Sequence, residues 1–254
     1  MKKTTGDGAL CSQFLDFMIQ SEVLCFGDFI LKSGRKAPYF INTGMFSTGG
    51  QLVKLGKFYA KLIQNSVRGD SYGIDEKPGE AALAAINQAI KAKFDVLFGP
   101  AYKGIPLVTA TAGELAAGSG LDMPYAFNRK EEKDHGDGKR ILGYTPQKGD
   151  RVALVEDVVT AGTSAREIRA LFKDMGLGAE ITALYVSVDR LERGTGETTA
   201  IGQIRATGVE VYAIATAADI IDYLENAAAG GQKVADAQKH AENMRLYLKM
   251  YGIR

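Results

Sequence analysis

The chain has 254 residues, 46% hydrophobic and 24% charged, which is enough for one full-sized α/β domain with its own core. A balance of 31 basic against 30 acidic residues leaves a formal charge of +1, which argues against a general nucleic-acid binder but not against a local site for one anionic small molecule. Two cysteines, Cys11 and Cys25, are too few for a disulfide framework and read as thiols in a reducing compartment.

The first residues carry two lysines, but Gln13 and Asp16 interrupt any apolar stretch. No signal peptide or membrane span is expected, and a cytoplasmic protein is. Phe14, Leu15, Met18 and Ile19 fall on one face of an amphipathic helix over residues 12–24. Residues 26–44 read as short strands joined by turns at Lys32–Lys36. Leu52, Leu55, Phe58, Tyr59 and Leu62 then mark a helix from Gly49 to about Asn65.

Residues 67–80 are polar and rich in turn formers, and a segment of high helix propensity follows, so 67–93 reads as a surface insertion made of a loop and a helix. Beyond it a strand–turn–helix rhythm sets in, beginning at Asp95, Arg151, Ile181 and Val209. Near-continuous apolar runs such as Ile181–Val188 are expected where helices cover both faces of a sheet. The pattern predicts a single α/β domain over 1–254: an open, mainly parallel sheet flanked by helices, with a smaller N-terminal layer. Too few βα units are present for an eight-stranded barrel. A closing helix is expected over 234–251.

The most informative stretch is RVALVEDVVTAGTSAREI, residues 151–168. An apolar strand ends in two acids, Glu156 and Asp157, followed by the small, hydroxyl-rich turn Thr160-Ala161-Gly162-Thr163-Ser164. Ser164 and Glu167 have capping-box spacing for the next helix, whose buried face is Ile168, Leu171, Phe172 and Met175 and whose stop is Gly176. Such a turn aims backbone amides and hydroxyls at one spot above a positive helix end, which suits a phosphate. One acid at a strand end is ordinarily a solvated turn former; two beside such a turn suit the vicinal hydroxyls of a sugar. The lysine of a P-loop is absent, and Gly176-Leu177-Gly178 follows a helix rather than a strand, so neither a P-loop nor a dinucleotide fingerprint is present.

RVALVEDVVTAGTS resembles the phosphoribosyl-pyrophosphate (PRPP) motif of the type I phosphoribosyltransferases. LKSGRKAPYF (31–40), FGPAYKGIP (98–106), FNRKEEKDHGDG (127–138) and SVDRLERG (187–194) resemble, in order, segments of the orotate phosphoribosyltransferases. The resemblance implies the type I fold with a small N-terminal hood, and transfer of phosphoribose from PRPP to orotate, giving orotidine 5′-monophosphate and pyrophosphate for UMP synthesis. A transferase for another base, and a non-catalytic PRPP-sensing regulator, share the fold.

The resemblance also implies roles for individual residues. PRPP would be held by Lys32, by Tyr102 and Lys103 of the pyrophosphate loop, and by Glu156, Asp157, Val158, Val159, Thr160, Ala161, Gly162, Thr163 and Ser164. Arg129, Lys130, Lys133 and His135 match a catalytic lid that reaches into the neighbouring subunit's site, so a homodimer is implied. Composition alone would equally allow a solvated charged loop there. Phe40, Ile41, Thr160 and Arg190 match orotate contacts, and a guanidinium can grip a carboxylate through two parallel hydrogen bonds. His135 and His240 suggest no metal pair; Mg2+ would be held mainly by PRPP, with no cage built by the protein alone.

Overall fold

The computed structural model describes residues 8–31, 34–68, 73–130, 140–159, 163–193, 198–230 and 234–252. In chain order the first elements are helix α1 (Gly8–Gln20), strands β1 (Leu24–Ile30) and β2 (Lys36–Ile41), a 3-10 turn at Thr43–Met45, and helices α2 (Gly49–Arg68) and α3 (Glu80–Lys93). They are followed by β3 (Val96–Gly99), α4 (Gly104–Ser119), β4 (Tyr125–Asn128), β5 (Ile141–Gly143), β6 (Arg151–Val158) and α5 (Thr163–Asp174). The chain closes with β7 (Glu180–Asp189), α6 (Ala200–Arg205), β8 (Glu210–Thr216), α7 (Ala217–Gly230) and α8 (Ala237–Tyr251).

Six strands form one sheet in the order β5-β4-β3-β6-β7-β8. All neighbours are parallel except β4 and β5. This is the open, mainly parallel sheet that the apolar runs imply. β1 and β2 stand apart as an antiparallel hairpin with Leu24 opposite Ile41, the smaller N-terminal layer.

The two-residue period of the strands divides the core in two. Leu97, Ala153, Val155, Ala183, Tyr185 and Ile214 face α1, α2, α4, α7, α8 and the hairpin. Val96, Phe98, Val152, Leu154, Leu184 and Val186 face α5 and α6, where Ile168, Leu171, Phe172, Ile201 and Ile204 meet them. Burying side chains of this kind contributes about 1.5–3 kcal/mol each. The predicted buried face of α5 is the one observed, and Gly176 ends that helix with φ 64° while Leu177 N–H donates to the Phe172 carbonyl at 3.0 Å.

Two boundaries differ from expectation. The first helix lies four residues nearer the N-terminus than 12–24, because Glu22 adopts φ 55° and Leu24 opens the hairpin. Helix α5 begins at Thr163, so Ser164 lies in its first turn and not at its cap. Its hydroxyl hydrogen-bonds the Glu156 carboxylate. Within the 67–93 segment, α3 packs Ile86 and Ile90 into the larger core. Among the described residues no helix is long and apolar enough to cross a membrane.

Candidate active site

In open α/β sheets ligands bind outside the carboxyl ends of the strands. Here β3, β6 and β7 end side by side, and the hairpin overhangs them. The space between is a cavity of about 810 Å3, within the range of small-molecule sites. The hairpin contributes Leu31, Arg35, Phe40 and Ile41 to its wall; the sheet contributes Pro100–Gly104, Glu156–Val159 and Asp189–Arg193.

The first wall is the β3–α4 turn. A Cβ on Gly99 would lie 2.2 Å from the Gly104 carbonyl oxygen, and one on Gly104 would lie 2.7 Å from the Gly99 carbonyl carbon. Only two glycines let strand end and helix start approach so closely. The peptide between Ala101 and Tyr102 is cis, and the Ala101 N–H donates to Asn128 Oδ1 at 2.8 Å. Tyr102 projects outward, with Lys130 Nζ 5.5 Å from its ring centre. Lys103 turns inward across the strand ends, and its ammonium lies 2.9 Å from Asp157 Oδ2.

The second wall is the end of β6. Asp157 gathers three partners: Lys103, the Thr43 hydroxyl donating to Oδ2 at 2.8 Å, and the Val158 N–H donating to Oδ1 at 2.7 Å. Its backbone carbonyl accepts the Ser187 hydroxyl, and the Glu156 carbonyl accepts the Tyr59 hydroxyl. The strand end is thereby locked from beneath while its carboxylates stay at the cavity. Burial pushes the Glu156 carboxyl up to about 7, against the pull of the Ser164 hydroxyl and reinforced by the nearby Asp157 charge. Val158 and Val159 continue into the cavity wall.

The third wall holds Arg190, immediately after β7 and 9% exposed. Its guanidinium lies over the Tyr39 ring at 4.6 Å, and Nε donates to Glu192 Oε1 at 2.7 Å. Arg190 Nη2 and the hydroxyls of Tyr39 and Tyr247 are buried without a hydrogen-bond partner among the described residues. A mostly buried guanidinium on the cavity wall is a positive group suited to an anionic ligand. Phe40, stacked on Phe29 at 5.5 Å, and Ile41 provide the apolar face nearby.

The structure therefore brings Phe40, Ile41, Tyr102, Lys103, Lys130, Glu156, Asp157, Val158, Val159, Ser164 and Arg190 around one cavity. Lys32, Lys133, His135, Thr160, Ala161 and Gly162 lie outside the described residues, as does the side chain of Thr163. Arg129 is at the base of the 131–139 segment, where its N–H donates to the Arg140 carbonyl at 2.9 Å and extends the β4–β5 pairing. Thr43, Tyr39 and Glu192 were not singled out from the sequence. Thr43 follows the hairpin with nothing local to mark it, and only the fold carries it to Asp157, 114 positions away.

Residues 76–197 match the family model of the phosphoribosyl transferase domain. Orotate phosphoribosyltransferase of Nitrosococcus oceani is 42% identical over 243 residues, 95% of each chain. That of Clostridium acetobutylicum is 41% identical over 95% of this chain and 97% of its own. The crystal structure of the Francisella tularensis orotate phosphoribosyltransferase superposes with a TM-score of 0.72 at 33% identity, covering 94% of this chain and 95% of that one. With near-complete coverage at this identity, the chain belongs to the orotate phosphoribosyltransferase family.

Proposed function

We propose that the protein joins orotate to PRPP, releasing pyrophosphate and orotidine 5′-monophosphate for UMP synthesis. One observation carries the reading: a paired-acid strand end, a lysine-bearing glycine turn and a mostly buried arginine converge on one cavity under the apolar side chains of Phe40 and Ile41.

The assignments follow from the walls. Glu156 and Asp157 accept the ribose hydroxyls, and the turn after β6 together with the first turn of α5 takes the 5′-phosphate. Arg190 receives the carboxylate of orotate, whose ring lies against Phe40 and Ile41. The bond that forms joins the ring nitrogen, attacking as an anion, to the anomeric carbon; the bond that breaks joins that carbon to the pyrophosphate oxygen. The sugar passes through an oxocarbenium-like state, which adjacent carboxylates favour. Lys103 leaves Asp157 for the departing pyrophosphate, so its charge follows the negative charge of the reaction. Arg129, Lys130, Lys133 and His135 complete the charge cover from the lid of a second subunit, and closure keeps water from PRPP.

Glu156 and Asp157 offer hard oxygen donors, but Asp157 already carries a lysine, and no group of three or more metal-ligating side chains occurs among the described residues. These residues fit a Mg2+ held chiefly by the oxygens of PRPP and by water, and the ion would neutralise pyrophosphate charge. The two free thiols agree with a cytoplasmic setting.

The test is pyrophosphate release from PRPP and Mg2+ with a panel of free bases. Release with orotate alone is expected. Release with a purine or uracil instead, or PRPP binding without turnover, would replace this reading. In the same assay Lys133→Ala should lose roughly 100- to 1000-fold in kcat with its thermal midpoint kept.

A further inference from the structure

We propose that Glu192 is a positioning residue: it fixes which edge of the Arg190 guanidinium faces the cavity, and so sets the preference for a base that carries a carboxylate. The inference rests on Arg190 being the contact to that carboxylate.

Glu192 divides its two oxygens between two arginines. Oε1 accepts from Arg190 Nε at 2.7 Å, and Oε2 accepts from Arg35 Nη1 at 3.3 Å. Both ends of the bridge are anchored. Arg190 is held face-on by Tyr39 at 4.6 Å, while Arg35 also donates from Nη1 and Nη2 to the Arg193 carbonyl at 3.3 Å and lies over the Tyr251 ring at 5.2 Å. A guanidinium has five N–H donors in a rigid plane. With Nε engaged and one face covered, only the Nη groups are left for a ligand, and of these Nη2 is buried among Tyr39 and Tyr247 without a hydrogen-bond partner among the described residues.

Charge points the same way. Glu192 lines the same cavity with its side chain 15% exposed, and alone it would repel an incoming carboxylate. Within the bridge itself two guanidinium groups face one carboxylate, so a positive charge remains there for a ligand carboxylate, while Asp189 on the same wall is engaged by the Leu191 N–H. A base without that group would leave a buried N–H edge unsatisfied, the condition under which binding sites discriminate most strongly. Arg35 belongs to the turn of the β1–β2 hairpin and Glu192 to the segment after β7, so the bridge also ties the hood to the sheet at the place where the base would sit.

Steady-state KM for orotate and for PRPP, kcat and the thermal midpoint would be measured on the full chain and four variants. Arg190→Ala should raise the orotate KM strongly and leave the PRPP KM near its starting value; if it does not, the assignment of Arg190 falls and this inference with it. Given that result, Glu192→Ala should raise the orotate KM roughly tenfold or more, the scale of one hydrogen bond to a charged group. Glu192→Gln, which keeps one acceptor for Nε, should recover part of the loss, and the PRPP KM should not move in either. An orotate KM within about twofold of the parent in Glu192→Ala, or equal rises for both substrates, would overturn the inference while leaving the Arg190 assignment standing. Should Glu192→Ala prove too unstable to assay, Arg35→Met probes the same bridge from its exposed end. A several-fold rise in orotate KM alone is expected there, and an unchanged value overturns the inference.

Discussion

At Asp157 a single carboxylate holds a lysine, a threonine hydroxyl and a backbone N–H, while its neighbour Glu156 sits largely out of water beside a serine hydroxyl. The two acids therefore differ in kind. Asp157 has its oxygens taken up by three donors, and Glu156 is pushed up by burial to about 7. In an unfolded chain Glu156 would titrate near the ordinary glutamate value of about 4.3. Because its folded value is raised, it supports the fold fully below the unfolded value and loses that support as pH rises through about 7. Glu156→Gln should therefore flatten the stability profile between about pH 4.5 and 7.5, with the variant gaining on the parent by an amount on the order of 1–3 kcal/mol at the upper end. Urea unfolding across that range checks it; parallel profiles would show that Glu156 titrates normally. The presence of both acids was legible from adjacent letters in an apolar strand. Their unequal environments were not, because Tyr59, Thr43 and Ser187 arrive from remote segments.

Elements were readable where a single period ran through them. The centres of strands β6 and β7 are near-continuous apolar runs, and the helical spacing of α5 put its buried face in the right place. Boundaries were less readable, since Ser164 has the chemistry of a cap and is used instead for Glu156. The β3–α4 turn makes a strict demand of its own. Gly99→Ala would force a Cβ into the Gly104 carbonyl, so the helix start must move away from the strand end and Lys103 with it. A loss of about 1–3 kcal/mol in stability is expected, as for other overpacked sites, along with a fall in kcat larger than that of Lys103→Ala. Thermal unfolding with single-turnover kinetics measures both; an alanine variant with parental stability and rate would show that the close approach is dispensable.

For the whole molecule, one sheet separates two cores and its strand ends form the floor of the cavity, while the hairpin supplies the roof. The roof is tied down by the Arg35–Glu192 bridge and by the packing of β2 against α8. Arg129 and Arg140 meet at the base of the 131–139 segment, so whatever that segment carries is delivered from the β4–β5 edge of the sheet. If it serves a neighbouring subunit, a lid variant and a cavity variant damage different halves of a composite site. Equal amounts of Lys133→Ala and Arg190→Ala chains, unfolded and refolded together, should then recover about a quarter of parental activity, because half the dimers are mixed and each has one intact site. Recovery no greater than the sum of the separate variants would show that each chain serves its own cavity.

The sequence by itself determined the class of fold, the strand that ends in paired acids and the family, because each is written in neighbouring residues whose period or chemistry is local. Only the tertiary structure decided which charges meet. Lys103 reaches Asp157 across 54 positions, Thr43 across 114, and Arg35 reaches Glu192 across 157. Such pairings follow from how strand ends align across a sheet and where a hairpin folds over them, and no local pattern in the chain encodes that alignment.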